Sequence, residues 1–376
     1  MLMICLFAGY QFALAQTQQQ VVEDDDVPPG WWVIPKTDTR IKLGGYVKLD
    51  VIHDLNPIGS PYFFDVTEIP TDGSEGQTTT LNARESRLHL DVRQPSGIGE
   101  LRIYVEGDFY GTNGAFRLRH AFLELGEHWR AGQWWSNFMD EDMIPATLDF
   151  EKPGAYAFRR AAMVRYKTDV SPNAYFAIAI EQPSNGGIDL PETGQYERPY
   201  PDLTLRYRLT GKWGHLQLSA LAASIRYRLA TGDTENLFLA GGNVSGSFNV
   251  FNSDKFSYQV VYGPGVGRAR GGISAGPDEN GELSAFTDLG MTASYKHSWS
   301  EKFSSLLVFN YGHVGDPGGI PNTTISNVYY GAVNLIWHVT PSSFVGLEYL
   351  HGGREDLSTA DGTANRIQLS LKHSFN

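Results

Sequence analysis

The chain has 376 residues, with 42 acidic against 30 basic side chains, a net charge of −12 and only 19% charged residues. That balance excludes the basic footprint of a nucleic-acid binder, so no nucleic-acid partner is expected. No apolar run of eighteen residues occurs beyond the N-terminus, which excludes helical membrane spans, while 41 glycines and 20 phenylalanines suit β-structure with many turns.

Met1–Ala15 (MLMICLFAGYQFALA) is apolar and ends on Ala13-Leu14-Ala15. It reads as a signal peptide over residues 1–15, with Gln16 as the mature start. The single cysteine, Cys5, lies within it and not at the cleavage site. The mature chain is therefore expected to lack disulfides, thiolate metal sites, a thiol nucleophile and a lipid anchor. Residues 16–39 form a polar periplasmic leader with an acidic run, Glu23–Asp26, then Trp31 and Trp32. Those indoles suit either a membrane interface or a position under a barrel mouth.

From Arg40 the pattern changes. Ile41, Leu43, Gly45, Val47, Leu49 and Val51 fall on one side of a strand, and Arg40, Lys42, Gly44, Tyr46, Lys48 and Asp50 on the other. The last strand, Arg366–Phe375, repeats this, with Ile367, Leu369, Leu371 and Phe375 opposite Arg366, Gln368, Ser370 and Lys372. Between them, strands are expected to begin near Thr80, Glu100, Ala115, Glu127, Tyr156, Asn173, Asp202, Lys212, Leu237, Asp254, Glu282, Lys302, Ile325, Ser343 and Asn365. Short connections, such as Gln94–Gly99 and Asp169–Asn173, alternate with long ones: Asp54–Thr79, Ser136–Gly154, Ser184–Pro201, Arg228–Asn236, Gly263–Gly281, Gly315–Thr323 and Gly353–Thr363.

This predicts an all-β chain. Residues 40–376 form a transmembrane antiparallel β-barrel of about sixteen strands, with a greasy outside and a wet inside. An even strand number places both termini on the periplasmic side. Aromatics near strand ends suit membrane girdles: Tyr62, Phe63 and Phe64, Trp129, Trp134 and Trp135, Trp213, Trp299, and Trp337.

The polar faces carry the chemistry. Strand two places Glu85, Arg87, His89, Asp91 and Arg93 opposite Leu88, Leu90 and Val92. Strand three places Arg102, Tyr104, Glu106 and Asp108 opposite Leu101, Ile103 and Val105. Strand four carries Arg117 and Arg119, and its register past His120 is open between a regular strand and a bulge. Arg159, Arg160, Arg165 and Lys167 follow on strand six, and Arg206 and Arg208 on strand eight. A charge on the lipid face costs roughly 2–4 kcal/mol at the midplane, so these cations belong in the lumen. There they favour anions, or pair with Glu85, Asp91, Glu106 and Asp108 and simply brace the wall. The connection Ser136–Gly154 carries Asp140, Glu141, Asp142, Asp149 and Glu151. Facing a field of arginines, it is expected to be drawn inward and to narrow the pore; the alternative is a solvated external loop.

IPKTDTRIKLGGYVKLD (Ile34–Asp50) is similar to the run into the first strand of the DcaP-like trimeric outer-membrane porin family of Gram-negative bacteria. FRLRHAFLEL (Phe116–Leu125) and RAGQWWSNF (Arg130–Phe138) resemble the fourth and fifth strands of trimeric porins, where a Gly-Gln strand, here Gly132-Gln133, leads into the pore-constricting third loop. The resemblance implies a homotrimer of sixteen-stranded barrels that passes small anionic solutes, notably dicarboxylates. It implies interior cations at Lys48, Arg87, Arg117, Arg119, Arg159 and Arg160, facing Asp140, Glu141 and Asp142 of the constriction loop. It also implies contact with outer-membrane lipid and lipopolysaccharide, and delivery by the barrel-assembly machinery through the C-terminal strand. The chain departs from the family pattern in two places: its leader is short and acidic, and Asn376 follows Phe375.

Other functions fit less well. A general porin that sorts solutes by size alone lacks any use for so dense an arginine wall. An enzyme needs a nucleophile motif beside His89, His120, His128 or His351, and no GxSxG occurs. A soluble β-sandwich would not sort its loops by length. PDENGE, with Asp278, Glu279 and Glu282, reads as a turn rather than a calcium loop, and no cofactor is expected.

Overall fold

The computed structural model describes residues 27–184, 194–229, 232–251, 253–270, 274–280, 282–315, 318–319 and 321–375. The expected signal peptide and the acidic run Glu23–Asp26 lie outside the described residues.

Sixteen antiparallel strands form the wall. They are β1 (Arg40–Asp54), β2 (Arg87–Ser96), β3 (Gly99–Asp108), β4 (Arg117–Leu125), β5 (Trp129–Trp135), β6 (Arg160–Ser171), β7 (Ala174–Glu181) and β8 (Asp202–Gly211). The second half comprises β9 (Gly214–Leu229), β10 (Thr234–Val250), β11 (Asp254–Pro264), β12 (Thr287–Ser298), β13 (Phe303–Val314), β14 (Ile325–Thr340), β15 (Ser343–Asp356) and β16 (Asp361–Phe375). Each pairs with the next. The ring closes because β1 pairs with β2 through Leu43↔Leu90 and with β16 through Val51↔Leu369.

The alternation places side chains as the sequence requires. Val47 and Leu49 are exposed on the outside, while the alternating Lys48 and Asp50 are buried inside. Outward apolar residues face lipid and inward polar ones face the lumen, so no strand is apolar enough throughout to register as a span on hydropathy. Gly45 is paired on both edges of β1, with Leu88 of β2 and with Phe375 of β16. Its φ is +153°, and a Cβ there would sit 2.1 Å from the Arg87 carbonyl oxygen, so the close approach of β1 and β2 needs glycine.

Short and long connections alternate around the ring as expected, but two of the long ones are strand. Residues 353–363 continue β15 and β16 and leave a turn at 357–360. Arg228 and Asn236 likewise lie within β9 and β10. Both stretches keep their ladder hydrogen bonds beyond the apolar band, where polar side chains no longer look like strand. β6 begins at Arg160 rather than Tyr156, and β12 at Thr287 rather than Glu282, because the connecting loops pack inward before the wall resumes. Strand two is broken: Thr78–Asn82 pairs with the upper part of β1, and β2 starts afresh at Arg87. In the leader, Trp32–Val33 pairs with Arg40–Ile41, and the Trp31 ring lies 5.1 Å from the Arg93 guanidinium, so this indole packs under the mouth.

The dry core sits inside the barrel. Phe64, Val66 and Ile69, from the β1–β2 connection, pack on Leu306, Val308, Val328, Tyr330 and Leu350 of the inner wall. Phe138, from the β5–β6 connection, packs on Ala157, Leu221, Val261 and Val266. Both long connections therefore fold into the lumen and bury apolar side chains there. This corrects part of the girdle assignment. Phe64 is a core residue, Phe63 packs at a tilt against Tyr110 and Phe150, and Trp134 meets Tyr104 and Phe122 edge to face. Trp129, Trp213, Trp299 and Trp337 remain exposed at strand ends, as a girdle requires.

Candidate functional site

The β5–β6 connection, residues 136–159, is held to the inner wall around much of the ring. On β8, Arg206 donates to the backbone oxygens of Asn137 at 2.9 Å, Ser136 at 3.3 Å and Met139 at 2.5 Å. Further along, Gln217 of β9 donates to the Met139 oxygen and Asn243 of β10 to the Phe138 oxygen. On the other side, Glu348 of β15 accepts the backbone N–H groups of Leu148 and Asp149, while Gln368 of β16 and Lys48 of β1 donate to the Leu148 oxygen. A loop without sheet partners needs its backbone groups satisfied, and inward polar side chains of ten wall strands supply that need here, Glu181, Gln259, Asn310 and Asn334 included.

Asp140 is a fully buried hub of this loop. It takes the Arg208 guanidinium at 3.1 Å, the Ser245 hydroxyl at 2.9 Å and His215 Nε2 at 2.7 Å. Burial alone would raise its pKa, but the hydrogen bond and charge of His215, together with Arg208, hold the carboxyl at about 2. Asp142 also pairs with Arg208 but is half exposed, and Glu141 accepts the Trp134 indole N–H at 2.9 Å. At the far end, Asp149 pairs with Arg366 at 2.8 Å, and Arg366 also holds Asp54. A cavity of about 170 Å³ separates the two in-folded connections and is lined by Asp65, Thr67, Glu151, Lys152 and Tyr156. Burial, then the nearby Asp65 carboxylate, push Glu151 up to about 7, and burial lowers Lys152.

The arginine wall runs over β2 to β6. Arg102 bridges Asp91 at 2.9 Å and Glu124 at 3.1 Å. Arg117 grips Asp108 with two hydrogen bonds. Arg119 takes Glu106 at 2.9 Å and Asp108 at 2.7 Å. The open register of β4 resolves as a bulge. Glu106 pairs with His120 but the adjacent Gly107 pairs with Leu118, which leaves Arg119 as the extra residue. Arg119 and His120 are consecutive yet both buried inside.

The structure thus brings most of the expected site residues to the lumen, in different roles. Lys48 is enclosed by Glu85 and Asp50 and tethers the loop. Arg159 lies in the loop, just before β6, and pairs with Asp202 at 3.0 Å. Arg206 holds loop carbonyls. Arg87 reaches Glu106 only at 3.7 Å, and its buried Nε has no hydrogen-bond partner among the described residues. Arg160 lies 5.0 Å from the Trp135 ring and has no carboxylate within ion-pair distance among the described residues. Asp140, Glu141 and Asp142 sit together, Asp140 as an anchor rather than a lumen charge. Sequence reasoning missed Glu348 and His215, whose places on a regular polar face gave no sign that a loop lay opposite. Among the described residues no group of three or more His, Cys, Asp or Glu side chains is placed to hold a metal ion.

The comparisons with known proteins agree with this architecture. A model of the DcaP outer membrane protein family matches residues 9–375. No curated protein sequence matches the chain. Among solved structures, the outer membrane channel DcaP of Acinetobacter baumannii superposes with a TM-score of 0.79 at 22% identity, over 90% of this chain and 97% of that one. The anion-selective porin from Comamonas acidovorans aligns with a TM-score of 0.58 at 11% identity, over 90% of this chain and 100% of that one. OmpT of Vibrio cholerae aligns with 0.56 at 11% identity, over 92% and 100%. By its match over nearly the whole length, and by a closed sixteen-stranded wall that is apolar outside and polar within, this chain belongs to the DcaP outer membrane protein family of outer-membrane β-barrel channels.

Proposed function

We propose that the channel passes small hydrophilic solutes by diffusion and prefers anions, dicarboxylates among them. The observation that carries this is the wall of β2 to β6. Its inward guanidinium groups at 87, 93, 102, 117, 119, 130 and 165 outnumber the facing carboxylates of Asp91, Glu100, Glu106, Asp108 and Glu124. The surplus gives that side of the water column a positive potential, and guanidinium edges fit carboxylates with paired hydrogen bonds. The in-folded 136–159 segment narrows the passage opposite this wall and sets its half-exposed Asp142 there. An anion then travels along the arginine side, held weakly enough to leave. Reversal potentials of single channels in a salt gradient test the reading; cation-directed potentials would reject it.

A homotrimer fits the wall heights. β5 has seven residues and β4 nine, against seventeen in β10 and sixteen in β14. Seven residues at about 3.3 Å each and a tilt of about 45° rise only about 16 Å, far short of a hydrocarbon core of about 30 Å. A low wall packed against neighbouring copies escapes that mismatch. Cross-linking in native membranes followed by denaturing electrophoresis checks this, with a monomer band alone as the contrary result.

One observation favours a second reading, a general size-limited porin. Most of the wall arginines are already paired, so their charge is largely neutralised in place. Liposome swelling that ranks neutral and anionic solutes by size alone would support it.

A further inference from the structure

We infer that Arg130 and Arg165 form a discrete carboxylate-binding station on the arginine wall, below the 136–159 loop. The inference rests on the anion-preferring reading above and names a place where a permeating carboxylate pauses.

Arg130 on β5 and Arg165 on β6 are direct cross-strand partners. Both lie on the inward face, because Arg130 pairs with Glu124 of the inner wall at 2.5 Å. Cross-strand side chains stand about 5 Å apart, and like charges set opposite each other destabilise a sheet. Sheets therefore avoid this pairing unless something compensates it. Arg130 uses its Nε and Nη2 on Glu124 and leaves Nη1 buried without a partner among the described residues. Arg165 has no ion pair among the described residues, and its Nε is also buried without a partner. The charges that act on Arg165 are chiefly Arg130 and Arg206, with Tyr175 and the loop carboxylate Glu141 beyond them. Glu141 is itself engaged by the Trp134 indole N–H. Two guanidinium groups with spare donors thus share one wall position, and only one of them has a carboxylate.

The surroundings point to a flat oxyanion. The rings of Phe122 and Trp134 lie 4.7 and 4.9 Å from the Arg130 guanidinium and 4.9 Å from each other, edge to face, so both cover it from one side. Its Nη1 is buried and keeps unused donors among the described residues. A planar carboxylate meets a guanidinium edge with parallel hydrogen bonds, and a second guanidinium across the ladder completes its partners. The β4–β5 and β6–β7 connections are short turns, so this pair lies toward the periplasmic end of the wall, after the loop has been passed.

The test uses the purified full chain in planar bilayers, with sodium acetate as the probe, and the variants Arg165→Gln and Arg165→Met. Conductance of the wild type is expected to saturate with acetate concentration, and both variants to raise the half-saturating concentration by about tenfold or more. Because a like-charged neighbour is removed, neither variant should melt below the wild type. Conductance that rises linearly in the wild type would overturn the station. So would an unshifted half-saturation in the variants, or a lowered melting temperature, which would make Arg165 a brace of the wall. Cation-directed reversal potentials in the wild type would instead reject the underlying anion preference, so the two failures are distinguishable.

Discussion

Arg366 on β16 and Asp149 in the 136–159 loop meet in a buried ion pair of 2.8 Å, joining the last wall strand to a segment more than two hundred residues earlier. The same guanidinium grips Asp54 of β1, so one side chain ties the barrel seam to the loop. Removing one partner of a buried pair typically costs about 3–5 kcal/mol, because a charge is left uncompensated. Arg366→Gln is expected to destabilise the barrel by that order and to raise single-channel conductance as the loop loosens. Thermal unfolding in micelles and bilayer recordings check this; a variant that melts with the wild type would show that the pair holds nothing.

The Asp140 hub predicts an acid-resistant anchor. Its carboxyl sits at about 2 in the folded chain, below the usual value of about 3.9. The unfolded chain therefore binds the proton first, and the stabilisation is complete above about pH 3.9 and lost as pH falls through about 2. Melting temperature measured from pH 6 to pH 2 should show this fall, and Asp140→Asn should lack it. A fall centred near pH 5 in the wild type would contradict the assignment.

Glu151 predicts the opposite slope. Its carboxyl is raised from 4.5 to about 7, so the folded chain holds the proton where the unfolded chain has released it. Stability then declines as pH rises from about 4.5 to about 7 and is level above that. Glu151→Gln keeps the neutral form and should flatten the decline. The comparison is of melting temperature against pH for the two proteins, and parallel curves would rule out the assignment.

The outer face makes a sharper demand than the lumen. Leu90 is exposed on β2, opposite Leu43 of β1. Leu90→Arg is expected to destabilise the barrel by about 2–4 kcal/mol if it lies near the bilayer midplane. Folding equilibria in lipid vesicles measure this directly. Equal tolerance of arginine at Leu90 and at the inward His89 would mean that lipid does not cover this face.

What the sequence showed and what it hid follow one rule. Alternation is a local signal, so β1, β2, β3, β8 and β16 were legible with their faces, because each outward leucine sits between two inward polar residues. The bulge at Arg119 was visible only as a conflict of phase, and the structure decides it. Phe64, Val66 and Ile69 offered a signal that could have been read: three apolar residues in a long connection have no place in water. The destination of the loops was not legible. Whether Glu348 faces water or the Leu148 backbone depends on residues two hundred positions away, and no period in the sequence records that. Nor could composition separate the cations already neutralised, such as Arg117, from those with donors to spare, such as Arg165.

The seam has a consequence for biogenesis. The rung Val51↔Leu369 joins residues that lie at opposite ends of the ring's sequence, so the first strand keeps an open edge until nearly all the chain has been made. Loop-closure entropy grows only with the logarithm of length, so the gap is affordable at equilibrium. Its burden is kinetic: a bare strand edge is a template for pairing with any other chain, and contacts this distant form late. A newborn barrel of this kind stays exposed along that edge until the final rung forms.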